Sequence, residues 1–334
     1  MKTIAILFGG SSDEHIVSIT STKYLSELLS NFQLEYYYFD SQNNIFKINV
    51  NQISDKSVND LTNPINLSDF ISNLKNKIAF PINYGKCAED GKLYAFLELY
   101  GIETIGGDYK SYSIAFDKLF TKYFLNAIKI KTPEFKHYSI QFTSKSEIIK
   151  DIQLSFKKPI IFKPRSNGSS IGMTLIKELS ENEIDNAIEE VLKFEKDIIC
   201  EEFVENFKEY QIAVIQSNND YFTSSVVEIT CKSEFLTYEE KFNSNSTVKY
   251  IPLPETEKDL FSQIEIISIE IMKQLQLKHF LRMDFLYSQD NKTLYVNEIS
   301  PMFGMTKESA FWKLWRAKGQ NDLDTVNLIL TNFR

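Results

Sequence analysis

Short apolar runs alternate with amphipathic stretches along most of the chain. Thr3 to Phe8 is apolar and β-branched and reads as a buried strand, Gly9-Gly10-Ser11-Ser12-Asp13 turns the chain, and Ile16 to Leu29 follows at helical spacing. Strand, glycine turn and helix in this order open an α/β domain. Ile78 to Ile82 predicts a further strand, leading through the polar turn Cys87 to Gly91 into a helix through Leu97, with a boundary near Gly106-Gly107. Farther on, Lys158 to Lys163 reads as a strand feeding the small-residue loop Ser166-Asn167-Gly168-Ser169-Ser170. Ser180 with Glu183 predicts a capping box before a helix that sets Ile184, Ala187, Ile188, Val191 and Leu192 on one face. Ile198 to Cys200 is another short strand. A helix is expected from about Thr256 to Gln276, with Leu260, Ile264, Ile267 and Ile271 along one side. Phe280 to Tyr287 and Thr293 to Ile299 read as two strands of a hairpin joined at Gln289-Asp290-Asn291. No internal repeat or low-complexity tract interrupts this pattern.

A chain of 334 residues exceeds what one core usually holds and suits two or three domains. Its net charge of −8 and its lack of a Lys/Arg block set aside a nucleic-acid partner. Nucleotide binding stays open, because a few placed lysines and a bound cation can neutralise phosphates. Cys87, Cys200 and Cys231 are far apart and form no CxxC, so neither a zinc site nor a disulfide scaffold is indicated. His15, His137 and His279 lack metal-binding spacing. The opening apolar stretch is too short for a signal peptide, and no run approaches the roughly 18 residues of a membrane span. The expectation is a soluble, cytoplasmic protein with no membrane partner.

Candidate chemistry changes the picture at several places. In the hairpin, Arg282 and Asp284 share one face, as Val296, Glu298 and Ser300 share a face of the partner strand. If the two faces coincide, two carboxylates converge beside an arginine, a set suited to magnesium; the pattern also fits a solvent-facing hairpin with scattered charges. In Lys163 to Gly172, a strand ending in lysine feeds a loop whose backbone N–H groups can approach phosphate oxygens. It lacks the Walker A pattern, and an ordinary surface turn is the alternative. The turn at Gly9 to His15 lacks G-x-G-x-x-G, which disfavours a dinucleotide oxidoreductase. Glu14 there is placed either to grip a substrate ammonium or simply to stabilise the helix dipole. Asp117 to Lys122 and Cys200 to Val204 with Glu209 are charged element ends with no separate signal of their own.

Taken in order, these segments resemble the D-alanine–D-alanine ligase family of the ATP-grasp superfamily across nearly the whole chain. The matching stretches are Gly9-Gly10-Ser11-Ser12-Asp13-Glu14-His15-Ile16-Val17-Ser18, Glu89-Asp90-Gly91, Asp117-Lys118 to Lys122, Lys163 to Gly172, Arg282-Met283-Asp284, Asn297-Glu298 and Ser309 to Trp315. The resemblance implies a three-domain ATP-grasp fold of α+β lobes, with an N-terminal, Rossmann-like substrate-binding domain at 1–107, a central lobe at 108–200 and a C-terminal lobe carrying metal and substrate sites at 201–334. It implies an ATP-dependent ligase acting through an acylphosphate, using two magnesium ions (manganese as a substitute), in a homodimer that serves peptidoglycan biosynthesis. Lys118 and Lys163 would contact the ATP phosphates under a loop containing Gly168 and Ser170. Glu201 would take the adenine amino group, backbone from Glu202, Phe203 and Val204 would lie beside the base, and Glu209 would take the ribose. Asp284, Glu298 and Ser300 would hold the metal. Glu14 bridged by Ser169 would hold the first substrate's ammonium, and Ser309 the second's carboxylate. Lys241 would neutralise phosphate charge, Arg282 and the Gly304 N–H would meet the oxyanion, and Asn243 to Thr247 would form a lid.

Four departures fall around the substrates. Tyr84-Gly85 stands where the family has histidine before glycine. Lys241-Phe242 replaces a lysine–tyrosine pair, and some relatives that make D-alanyl-D-lactate carry phenylalanine there. Glu298-Ile299-Ser300 replaces E-x-N, and Ala310-Phe311-Trp312 stands where larger apolar, tyrosine and proline residues are usual. Tyr84, Phe242 and Ala310 therefore mark the substrate pocket. The rival readings are a specialised paralogue joining other amino or hydroxy acids, an ATP-grasp carboxylase or purine-pathway ligase, and an ATP-binding regulator without turnover.

Overall fold

The computed structural model describes residues 3–157, 159–168, 170–231 and 248–333. Its first sheet is built around β1 (Ile4–Gly9), in which every residue is buried, as expected of a strand covered on both faces. β1 pairs in parallel with β2 (Leu34–Phe39) on one side and β4 (Ile78–Pro81) on the other. β3 (Ile45–Ile48) and β5 (Glu103–Thr104) form the edges, giving the order β3-β2-β1-β4-β5. Helices α1 (His15–Leu28), α2 (Leu67–Leu74) and α3 (Lys92–Leu99) lie between these strands in the chain. Because the chain leaves β1 for β2 on one side and returns to β4 on the other, a crevice opens at the strands' carboxyl ends. Gly9 turns there at φ +87°; a Cβ on it would stand 2.2 Å from the Phe39 carbonyl oxygen.

After α4 (Tyr109–Phe116) and α5 (Lys118–Ala127) comes a four-stranded antiparallel sheet. It comprises β6 (Phe135–Ser139), β7 (Ile160–Pro164), β8 (Thr174–Ile176) and β9 (Asp197–Glu202), in the order β6-β9-β7-β8. Helices α6 (Lys145–Ser155) and α7 (Glu181–Leu192) supply Ile148, Ile152, Ile184 and Ile188 to a core of its own with Phe162 and Cys200. The capping box expected at Ser180 is half formed. Ser180 Oγ accepts from the Glu183 N–H, but the Glu183 carboxylate accepts from the N–H of Glu178, two residues farther back.

The third sheet comprises β10 (Phe207–Ser217), β11 (Asp220–Thr223), β12 (Val227–Thr230), β13 (Lys249–Pro252), β14 (Phe280–Ser288) and β15 (Leu294–Ser300). Its order is β13-β12-β10-β14-β15, with β11 on β10. Helices α8 (Lys258–Gln274), α9 (Ala310–Ala317) and α10 (Asp322–Leu330) complete it. The first and third sheets share one continuous core, in which Phe80 meets Phe280 and Tyr24 meets Trp312 edge-on. Among the described residues, no helix is long and apolar enough to cross a membrane.

Candidate active site

The hairpin register brings the two carboxylates together. Asp284 on β14 lies opposite Glu298 on β15, and Arg282 opposite Ser300. A β-bulge beside Asp284 pairs Phe285 with Val296, so Asn297 is the extra residue. The plain alternation that put Val296 on the Glu298 face is therefore corrected: Val296 is buried in the core with Phe285. Asn297 instead lines the cleft, its Oδ1 3.5 Å from Lys163 Nζ. Arg282 grips Asp284 through Nε at 2.8 Å and Nη2 at 3.1 Å, and Gln211 Nε2 donates to the same carboxylate at 3.1 Å. Two of the five arginine N–H groups are thus used on Asp284.

Lysines gather at the other wall of the cleft. Lys163, at the end of β7, lies 2.9 Å from Glu201 Oε2, and Lys122 lies 3.3 Å from Glu201 Oε1. All three side chains are buried. Burial alone would raise the Glu201 carboxyl, but the two ammonium groups outweigh it and hold it below its usual range. Burial pushes Lys122 down to about 8, against the pull of Glu201. Lys118, the first residue of α5, is lowered by burial against the pull of Glu298, and it donates to the Asn167 carbonyl. Three lysines thus stand together along one wall of the cleft, where a polyphosphate can meet their ammonium groups. The small-residue loop is tied at its start: Arg165 pairs with Asp117 at 2.8 Å, and Ser166 N–H donates to Glu195 at 2.8 Å.

Every residue expected to hold ATP that the structure describes lines this one cleft: Lys118, Lys163, Gly168, Ser170, Glu201, Glu202, Phe203, Val204 and Glu209. Asp284 and Glu298 line it too. The Glu202 and Phe203 N–H groups donate to the Glu134 and Pro159 carbonyls, each at 2.8 Å, so they fasten the segment to its neighbours. Among the described residues no group of three or more acidic, histidine or cysteine side chains forms a metal cage. The Asp284–Glu298 pair still fits magnesium, which binds through one or two carboxylates and completes its shell with phosphate oxygens and water. Ser300 does not join them in the cleft lining; its hydroxyl donates to the Met302 carbonyl at 3.1 Å.

At the crevice end, a Cβ on Gly168 would stand 3.7 Å from Glu14 Oε2, which brings that carboxylate beside the phosphate loop. Burial, with the carboxylates of Glu14 and Glu298 nearby, pushes Glu89 well above the usual carboxylate range. Gly304 lies against Ser309, whose Oγ would be 3.1 Å from a Cβ at Gly304 and is 2.9 Å from Thr306 Oγ1. Ala310 opens α9, half-buried. Tyr84 is not an open pocket wall: its phenol is buried and bonded to Ser21 and to the Met305 N–H. Ser169, Lys241, Phe242 and the 243–247 stretch lie outside the described residues. Sequence reasoning assigned no role to Lys122, Glu89, Gln211 or Asn297. Lys122, Glu89 and Asn297 stand inside the matching stretches, which was the available signal, but turning Asn297 into the cleft needed the bulge, and Gln211 needed the β10–β14 register.

Comparison with known proteins agrees with this geometry. The models "D-ala D-ala ligase N-terminus" and "D-ala D-ala ligase C-terminus" match residues 3–107 and 124–331. The chain is 31% identical to a D-alanine–D-alanine ligase of Clostridium acetobutylicum, covering 96% of this chain and 94% of that one. It is 30% identical to D-alanine–D-alanine ligase B of Clostridium tetani, covering 95% and 89%. The fold matches the VanG D-Ala:D-Ser ligase of Enterococcus faecalis with a TM-score of 0.85 at 24% identity, covering 100% and 99% of the two chains. It matches D-alanyl-alanine synthetase A of Vibrio cholerae with a TM-score of 0.79 at 23% identity, covering 99% and 98%. The chain belongs to the D-alanine–D-alanine ligase family, ATP-dependent ligases of the ATP-grasp fold that form C–N bonds.

Proposed function

We propose that the chain joins two D-amino acids, with D-alanyl-D-alanine as product. The observation carrying this reading is that the lysine-lined cleft reaches Gly168, and Gly168 lies beside the Glu14 carboxylate. Lys118 and Lys163 hold the ATP phosphates, Gly168 and Ser170 cover them, and Glu209 takes the ribose. Glu201 takes the adenine amino group with a lone pair its lysines leave over, and the Val204 backbone lies beside the base. Glu14 holds the ammonium of the first amino acid and Ser309 the carboxylate of the second.

In the first step, a carboxylate oxygen of the first amino acid takes the γ-phosphoryl group as its bond to ADP breaks. Positioning and charge neutralisation serve this transfer more than covalent help does. Asp284 and Glu298 would hold magnesium, as two ions on the family's pattern, which would supply neutralising charge to the phosphates. In the second step, the amine attacks the acyl carbon, a C–N bond forms, the C–O bond to phosphate breaks and the amine's proton passes to the departing phosphate. The N–H groups of Arg282 left over from Asp284 and the backbone N–H of Gly304 stabilise the tetrahedral oxyanion. The family resemblance further supports a cytoplasmic homodimer acting in peptidoglycan synthesis, and the three sheets support a division close to 1–107, 108–200 and 201–334, the second boundary shifted to the end of β9 at Glu202.

A second reading keeps D-alanine first and changes the nucleophile to D-serine or a hydroxy acid. Its support is the small, half-buried Ala310 beside Ser309 and the likeness to the VanG D-Ala:D-Ser ligase. The test is ADP release with ATP, magnesium and a panel of D-amino acids, with and without D-lactate, followed by mass spectrometry of the product. D-alanyl-D-alanine as the main product supports the first reading, another pair supports the second, and no ADP with any pair overturns both.

A further inference from the structure

The loop between β15 and α9 carries Gly304 and ends at Ser309, and it is fastened from outside at several points. Tyr112 Oη donates to the Pro301 carbonyl at 3.0 Å. Phe303 stacks on Phe311 with ring centroids 4.1 Å apart. Arg316 donates to the Lys307 carbonyl at 3.0 Å. The remaining tether crosses from the first sheet. The Met305 N–H donates to Tyr84 Oη at 3.0 Å and also lies 3.2 Å from Ser21 Oγ, and Tyr84 Oη in turn donates to Ser21 Oγ at 3.0 Å. Tyr84, Ser21 and Met305 are 3%, 0% and 2% exposed, so no water competes for this ring of hydrogen bonds.

The Met305 N–H belongs to the peptide plane that follows the Gly304 Cα. Fixing that plane on one side, while Phe303 is clamped on the other, leaves the glycine little freedom to swing. A glycine without such clamps rotates more readily than any other residue. We propose that Tyr84 is a positioning residue of the ligation step: by holding the Met305 N–H it aims the Gly304 N–H at the oxyanion of the tetrahedral intermediate. This rests on the reading of Gly304 as an oxyanion donor given above. A tyrosine suits the task because burial pushes its phenol well above its ordinary range, so the tether stays neutral at all working pH values.

The first half-reaction does not use the Gly304 N–H, and the second does. Tyr84→Phe keeps the ring and removes only the tether. The expected result is a fall in dipeptide kcat on the order of 10- to 100-fold, as misplacement of a catalytic group by about 1 Å produces. The KM for ATP should hold, because the lost interaction is made only in the transition state. ADP formed per dipeptide should rise above one, because acylphosphate still forms and is lost to water. An unchanged ratio and kcat would overturn the proposal. So would a parallel fall of ADP and dipeptide with a lowered thermal midpoint, the mark of a merely structural role. If Tyr84→Phe does not fold, Ser21→Ala removes the second acceptor of the same N–H. The same uncoupling is then expected to a smaller degree, and a wild-type ratio overturns the proposal. Wild-type protein that releases no ADP with any amino-acid pair would instead count against the ligase reading itself, so the two failures are distinct.

Discussion

Glu201 holds two lysines at once, and the consequence of removing it follows from the charges left behind. Lys122 and Lys163 would remain buried side by side without a counter-charge. Breaking a buried pair by deleting one partner typically costs about 3–5 kcal/mol. Glu201→Gln should therefore lower the urea midpoint markedly, and ATP should restore more stability to the variant than to the parent, because its phosphates supply the missing negative charge. Equal stabilisation of both by ATP would count against Lys122 and Lys163 facing the nucleotide. Glu298→Gln tests the other wall: ADP formation should vanish while the circular dichroism spectrum is unchanged, and near-normal turnover would remove Glu298 from the metal site. At this scale the sequence was informative where a residue type and a spacing coincide, as with Lys163 before its small-residue loop. Lys122 was visible only as the end of a motif, because its partner Glu201 arrives with β9, far along the chain.

Elements were legible wherever burial follows one period. β1, α1, α7 and the β14–β15 hairpin lie within a residue or two of their expected places. The failures have local causes. The bulge at Asn297 breaks the two-residue alternation, and a bulge leaves no mark on polarity alone. The partner of Glu183 moved because the Glu178 N–H lies within its reach. Just before β14, His279 sits at φ +69° with Nδ1 2.8 Å from the Gly106 carbonyl oxygen. Burial pushes His279 down to about 4, whereas an unfolded histidine titrates near 6.5. Below pH of about 6.5 the unfolded chain takes up a proton that the folded chain refuses, so stability falls as the pH drops toward 4. The contribution lost between pH 7 and pH 5 is about 2 kcal/mol. His279→Asn tolerates the left-handed backbone and should flatten that part of the pH dependence in urea titrations. An identical slope in the variant would show that His279 is not the group responsible.

At the scale of the whole molecule, the described residues form two cores, and the cleft lies between them. The first and third sheets share one, through partners as distant in sequence as Tyr24 with Asp322 and Tyr84 with Met305. The central sheet keeps its own around Phe162, Ile184 and Ile188. Motif order in the sequence pointed to the family, but it could not show which lobes fuse, because those contacts join segments more than 200 residues apart. The arrangement predicts how nucleotide affects unfolding. Lys118, Lys163 and Glu201 line the cleft from the central part of the chain, whereas Asp284 and Glu298 line it from the third sheet. Among the described residues, Lys163 bridges the two walls through Asn297 at 3.5 Å, and Lys86, from the loop after β4, reaches Glu195 of the central lobe at 3.4 Å. Phe162→Ala, which empties the small core, should cost about 3–5 kcal/mol. That loss should fall on the central sheet, so hydrogen exchange should speed up in β6 to β9 and stay near normal in β1, β4 and β10. If ATP with magnesium spans both walls, as proposed, it should slow exchange in β7 and β9 of the parent protein more than in β1 or β2. Uniform acceleration across all three sheets in the variant would mean that the central core is not an independent unit and that the lobes unfold as one.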